Sequence, residues 1–88
     1  MAHYLICYDI ANPRRLARVH RRIVKDALFI QFSVYYLQGR RKDLDVLLND
    51  LRELINERED DIRAYTVQPL QEALQIGAAW LPEGIVFG

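Results

Sequence analysis

The chain is 88 residues long, 51% hydrophobic and 27% charged, with three Pro and four Gly. That makes one small domain with no room for a second, and it excludes a disordered tail or a fibrous chain. The formal net charge is zero but unevenly spread: residues 1–42 hold nine Arg or Lys against Asp9 and Asp26, and residues 43–88 hold three against ten carboxylates.

No apolar run approaches the roughly 20 residues of a membrane span, and Met1–Ala2–His3 lacks signal-peptide character, so a cytoplasmic location and no membrane partner are expected. Cys7 is the one cysteine. Inside the apolar run Tyr4–Tyr8 it reads as a small core hydrophobe. So short a chain buries only roughly 60% of its unfolded surface, and dimerisation is expected to add stability.

In chain order, His3–Asp9 is apolar on both alternating faces, as in a strand covered on both sides. Asn12 and Pro13 suit the cap and first position of a helix, predicted to run to about Asp26. Its apolar residues Leu16, Val19, Ile23, Val24 and Ala27 lie near one stripe, with His20 on the margin. Leu28–Leu37 has the composition of one long strand, or of two short strands meeting at a bend near Gln31–Ser33. Gln38–Lys42 breaks the pattern, and Asp43 is predicted to begin a second helix with Leu44, Leu47, Leu48, Leu51, Leu54 and Ile55 on one face. Glu57–Asp61 reads as a polar turn and Asp61–Val67 as a strand. The resulting order is the ferredoxin-like βαββαβ pattern of an α+β domain over residues 1–67. Beyond Pro69 the signal weakens. Residues 71–76 suit a loop or one helical turn, and 77–81 and 85–87 suit short strands in a C-terminal extension, 68–88.

Asp9, at the end of the first strand, suits either a turn cap or a ligand for Mg²⁺, which commonly takes one or two carboxylates and keeps its other positions for water and phosphate. Arg14, Arg15, Arg18, Arg21, Arg22 and Lys25 form a basic helix face with no acid among them, a solvated stripe or a nucleic-acid surface. Arg40, Arg41 and Lys42 form a second cluster. Together the two can follow a phosphate backbone. Phe29, Phe32, Tyr35 and Tyr36 suit either the core or stacking on unpaired bases. Glu57, Glu59, Asp60 and Asp61 read as a solvated turn, with a regulatory cation site as the alternative. No Ser/His/Asp or Gly-rich phosphate motif is present.

Tyr8-Asp9-Ile10, then Arg14-Arg15 and Arg18-Val19, then Gln31-Phe32-Ser33-Val34-Tyr35 resemble the second core CRISPR-associated protein, the Cas-two family, over residues 3 to about 67. The resemblance implies a symmetric ferredoxin-like homodimer that binds DNA or RNA. It also implies a scaffold role with the Cas-one integrase in spacer acquisition, and a Mg²⁺-dependent endonuclease activity assigned to some members. By similarity Asp9 is the catalytic residue and the metal ligand shared across the dimer axis. Arg14, Arg15 and Arg18 are then phosphate contacts, and Tyr8, Ser33 and Tyr35 belong to the cleft. The extension would add a strand to the partner or dock the integrase. Ala27, Phe29 and Tyr36 depart from the family's usual Gly, basic and acidic residues. A stand-alone toxin-type ribonuclease of similar fold is the rival reading.

Overall fold

The computed structural model describes residues 1–67. The predicted strands at 77–81 and 85–87 and the proposed role of the extension lie outside the described residues. Six elements follow in the expected order: β1 (Ala2–Asp9), α1 (Pro13–Ile23), β2 (Leu28–Gln31), β3 (Val34–Gly39), α2 (Arg41–Leu54) and β4 (Asp61–Val67). The four strands make one sheet in the order β2-β3-β1-β4, with every neighbouring pair antiparallel.

Alternation along the strands divides the apolar residues between the two faces. Tyr4, Ile6 and Tyr8 of β1 and Tyr35 and Leu37 of β3 pack with Val19 and Ile23 of α1 and Leu44, Leu47 and Leu51 of α2. The helices therefore cover one face and form the main core. Leu5, Ile30, Val34, Tyr36 and Val67 form a second buried cluster, with Cys7 and Tyr65 packed against it. β1 is thus apolar on both sides, as its sequence predicts. Gln31, the register partner of Val34, is buried, and its side-chain amide has no hydrogen-bond partner among the described residues.

Leu28–Leu37 resolves into two strands joined by Phe32 and Ser33. A register shift between Phe29 and Gln31 tightens the approach to the turn. Ser33 takes φ 66°, a left-handed conformation that disfavours a side chain by about 1–2 kcal/mol. Its carbonyl accepts from the Tyr8 N–H at 3.1 Å, which ties the turn to β1.

Two helix boundaries differ from the sequence expectation. α1 ends at Ile23 rather than Asp26, because the bonds beyond it tighten to the i−3 carbonyl: Lys25 N–H donates to Arg22 O and Asp26 N–H to Ile23 O. α2 begins at Arg41, two residues before Asp43. Asp43 acts from within the first turn, accepting from the Arg40 N–H at 2.7 Å. Gly39 makes room for it: a Cβ there would lie 2.8 Å from Asp43 Oδ2 and 3.3 Å from its Cβ.

Candidate nucleic-acid interface

Asn12 builds the start of α1. Its Oδ1 accepts from the Arg14 N–H at 2.9 Å and the Arg15 N–H at 3.1 Å, and Pro13 follows where a missing N–H is harmless. Arg21 and Arg22 in the last turn complement the negative end of the helix.

The basic face predicted along this segment divides into two sets. Arg15 turns to acids distant in sequence, and Arg22 to one distant acid and to Asp26 four residues on. Arg15 Nε donates to Asp60 Oδ2 at 2.8 Å, and its Nη2 reaches Glu59 at 2.8 Å and Asp60 Oδ1 at 3.2 Å. Arg22 joins Asp26 at 2.8 Å and Asp50 of α2 at 2.9 Å, bracing the two helices. Both are thus held by ion pairs within the subunit, which sets them apart from the other four cations of this segment. Arg14, Arg18, Arg21 and Lys25 are exposed and form no ion pair among the described residues. The first three share one helix face by spacings of four and three; Lys25 lies in the turn beyond Ile23.

Arg40, Arg41 and Lys42 are exposed at the start of α2. Arg41 is paired with Asp45 at 3.0 Å. Gly39 pairs with Ala2, so this cluster sits at the end of β1 opposite Asp9, a strand length of roughly 23 Å away.

Asp60 is the residue that sequence reasoning missed. Read as part of a solvated turn, its side chain is fully buried. It accepts from Arg15, from the Ala11 N–H at 2.9 Å and from the Asn56 N–H at 2.8 Å. These bonds to the charged form, Arg15's first, outweigh burial and hold its pKa down at about 2. The one sequence signal was its place directly before a predicted strand.

Asp9 is exposed and sits opposite Asp61 across the β1–β4 ladder. Like charges at such a position repel. Arg63, opposite Cys7, offsets this by donating to Asp61 Oδ2 at 2.8 Å. Asp9 itself has no ion pair among the described residues, where no group of three or more His, Cys, Asp or Glu comes together. Burial pushes the Cys7 thiol upward, partly offset by Arg63, so Cys7 is no ready nucleophile.

Tyr8, Ser33 and Tyr35, the three predicted cleft residues, do come together. They line a cleft of about 270 Å³ between the first half of α1 and the β2–β3 turn, with Pro13, Leu16, Ala17, His20, Phe29 and Phe32. Asp9 does not line it; Tyr8 borders both this cleft and a smaller one shared by Asp9, Asp61 and Arg63. Inside the larger cleft Tyr8 stacks on Tyr35 with ring centroids 5.9 Å apart, and Phe29 meets Tyr35 edge-on at 5.7 Å. The Tyr35 hydroxyl is hydrogen-bonded to His20 Nδ1 at 2.6 Å. Burial first, and then the hydrogen bond with Tyr35, raise the Tyr8 pKa, so its phenol stays neutral. His20, only marginal in the sequence pattern, enters this site through its contact with β3.

The family model for CRISPR associated protein Cas2 matches residues 1–73. The chain belongs to this family. It is similar to a protein of Nitrosomonas europaea named CRISPR-associated endoribonuclease Cas2 1, at 41% identity over 97% of this chain and 81% of the relative. A Cas2 2 endoribonuclease of Thermodesulfovibrio yellowstonii is 34% identical over 93% and 91% of the two chains. Among solved structures, Streptococcus pyogenes Cas2 matches with a TM-score of 0.69 and 25% identity, over 77% of this chain and 88% of that one. Protein TT1823 of Thermus thermophilus shares the fold at a TM-score of 0.73. Tyr8 and Asp9, which carried the resemblance in sequence, close a central strand, and Gln31–Tyr35 spans the turn between β2 and β3 that packs beside it.

Proposed function

We propose that this Cas2-family chain is a homodimeric nucleic-acid-binding scaffold for CRISPR spacer acquisition, working with the Cas-one integrase, and that Asp9 seats an accessory metal-dependent phosphodiesterase. The observation that carries the reading is the row Arg14, Arg18, Arg21 and Lys25, exposed and without an ion pair among the described residues, while Arg15 and Arg22 are engaged by acids. Cations left without counter-charges suit a polyanion, whose phosphates replace released counterions. The names of the relatives support the hydrolytic part.

The size of the chain supports the dimer, since so short a fold buries a modest share of its unfolded surface and association adds to it.

Mg²⁺ fits Asp9 as a hard, exposed carboxylate with room for water and phosphate around the ion. Two chains about a twofold axis would supply two such ligands. A divalent ion held there supplies Lewis-acid stabilisation of charge on the phosphate and lowers the pKa of a water. Arg14 and Arg18 hold the backbone of the substrate. Tyr8, kept protonated, donates a hydrogen bond rather than acting as a base.

The test is co-expression with the integrase, followed by affinity capture and light scattering of the purified chain. A dimer mass and retention of the integrase are expected. A monomer mass overturns both the scaffold and the shared Asp9 site.

A further inference from the structure

The cleft beside Tyr8 has features that backbone binding leaves unexplained. Its walls are aromatic: Tyr8 and Tyr35 form the stacked interior, and Phe29 and Phe32 the rim. The rim residues are not core residues, for Phe29 is 55% exposed and Phe32 74%. Holding two phenylalanines in water is unfavourable, and Phe32 is held out by a turn whose next residue, Ser33, is itself strained. A polar group stands there too, since His20 is exposed and its imidazole is fixed by the hydroxyl of the buried Tyr35. Along the same helix run the exposed cations Arg14, Arg18 and Arg21, which form no ion pair among the described residues.

An aromatic slot with a small polar edge, flanked by positive charge, matches one chemistry: a planar heterocycle on a phosphate chain. At about 270 Å³ the cleft falls just below the roughly 300–1,000 Å³ of sites that enclose whole drug-sized ligands, which suits one ring system with its sugar and phosphate outside. We propose that this cleft takes a single unpaired nucleobase, stacked against Phe32 and Phe29 and facing the His20 imidazole, while Arg14 and Arg18 hold the adjoining phosphates. The substrate class is then nucleic acid with an unpaired or splayed nucleotide. Fully paired duplex, whose bases stay stacked inside the helix, engages the cations alone. This inference rests on the nucleic-acid reading above.

The test uses a short single-stranded DNA carrying one fluorescent adenine analogue whose emission is quenched by stacking, and the same strand paired with its complement. Binding is measured for the full chain and for Phe32→Ala, Phe32→Trp and Ala17→Trp. Phe32 and Ala17 are both exposed, so none of these changes disturbs the core. Wild type is expected to quench the analogue in the single strand and not in the duplex. Phe32→Ala, which removes the stacking face, and Ala17→Trp, which fills the cleft, should lose the quenching and bind the single strand about tenfold more weakly, with duplex affinity held within about twofold. Phe32→Trp should keep both signals. Unchanged quenching and affinity in Phe32→Ala and Ala17→Trp overturn the cleft and leave the nucleic-acid reading standing. Equal losses on single strand and duplex also overturn it. Absence of binding to either form by wild type overturns the nucleic-acid reading, and the cleft with it.

Discussion

Arg15 and Asp60, forty-five residues apart, form a bidentate ion pair in which the carboxylate is fully buried and the guanidinium side chain 20% exposed. Because Asp60 also accepts from the backbone of Ala11 and Asn56, one carboxylate fastens the β1–α1 connection to the turn before β4. Both connections border the end of β1 where Asp9 lies.

This clamp sets an acid limit on stability. Its pKa is lowered in the folded chain from 3.8 to about 2. The stabilisation it contributes is therefore complete above the unfolded value near 4 and fades as pH falls toward 2. Asp60→Ala removes the acceptor for Arg15 and for two N–H groups, and is expected to cost roughly 3 kcal/mol at neutral pH, a fall in Tm of roughly 10–20 °C. Thermal unfolding of wild type and variant at neutral pH and across pH 4 to 2 checks this. The difference should shrink toward the acid end, and a constant difference would place the cost in packing instead.

The division of the basic face makes a second prediction. Replacing Arg14, Arg18 and Arg21 together with Ala should weaken nucleic-acid binding regardless of sequence and flatten the slope of log K against log salt by up to about 2.7 for a duplex. Arg22→Ala should leave that slope unchanged and lower Tm, because its charge is engaged by Asp26 and Asp50. Salt titrations of binding alongside melting curves separate the two sets. A slope that also falls for Arg22→Ala, by about 0.9, would mean that its ion pairs open when nucleic acid binds.

Sequence periodicity was enough to read the order of the elements, since Leu44, Leu47 and Leu51 recur at helical spacing and Tyr4, Ile6 and Tyr8 alternate with Leu5 and Cys7. Boundaries were less legible for a local reason. Asp43 looks the same in sequence whether it caps α2 from outside or from its first turn, and the structure shows the second. The site was half legible. Tyr8, Ser33 and Tyr35 were read as one cleft from motif resemblance, and they share one. Arg15 and Arg22 were hard to tell from Arg14, Arg18 and Arg21, because Asp60 and Asp50, which engage them, lie 45 and 28 residues away, and Asp26, four residues after Arg22, was the one local sign. Asp60 was hidden among Glu57, Glu59 and Asp61, three exposed acids of the same composition. Burial is a tertiary property, and no local pattern marks which member of such a run turns inward.

Asp9→Asn separates chemistry from scaffolding. The substitution keeps the size of the side chain and removes one negative charge per chain, at a position that carries no ion pair among the described residues and faces Asp61 across the ladder. Folding should therefore be unchanged or slightly improved, since the like-charge pair is relieved. An amide is a poor ligand for a hard divalent ion, so cleavage that depends on Mg²⁺ should fall to the level seen with EDTA. On the proposed reading nucleic-acid binding rests on Arg14, Arg18 and Arg21, and it should persist, slightly tightened by the loss of repulsion with phosphate. Spacer acquisition with the integrase should then survive, because a scaffold needs the fold and the cations and not the hydrolysis. The measurements are cleavage with Mg²⁺ and with EDTA, binding affinity, and acquisition, for wild type and variant side by side. Wild-type cleavage by the variant would move the chemistry away from Asp9, and loss of acquisition by a folded, DNA-binding variant would overturn the scaffold role in favour of an obligatory nuclease.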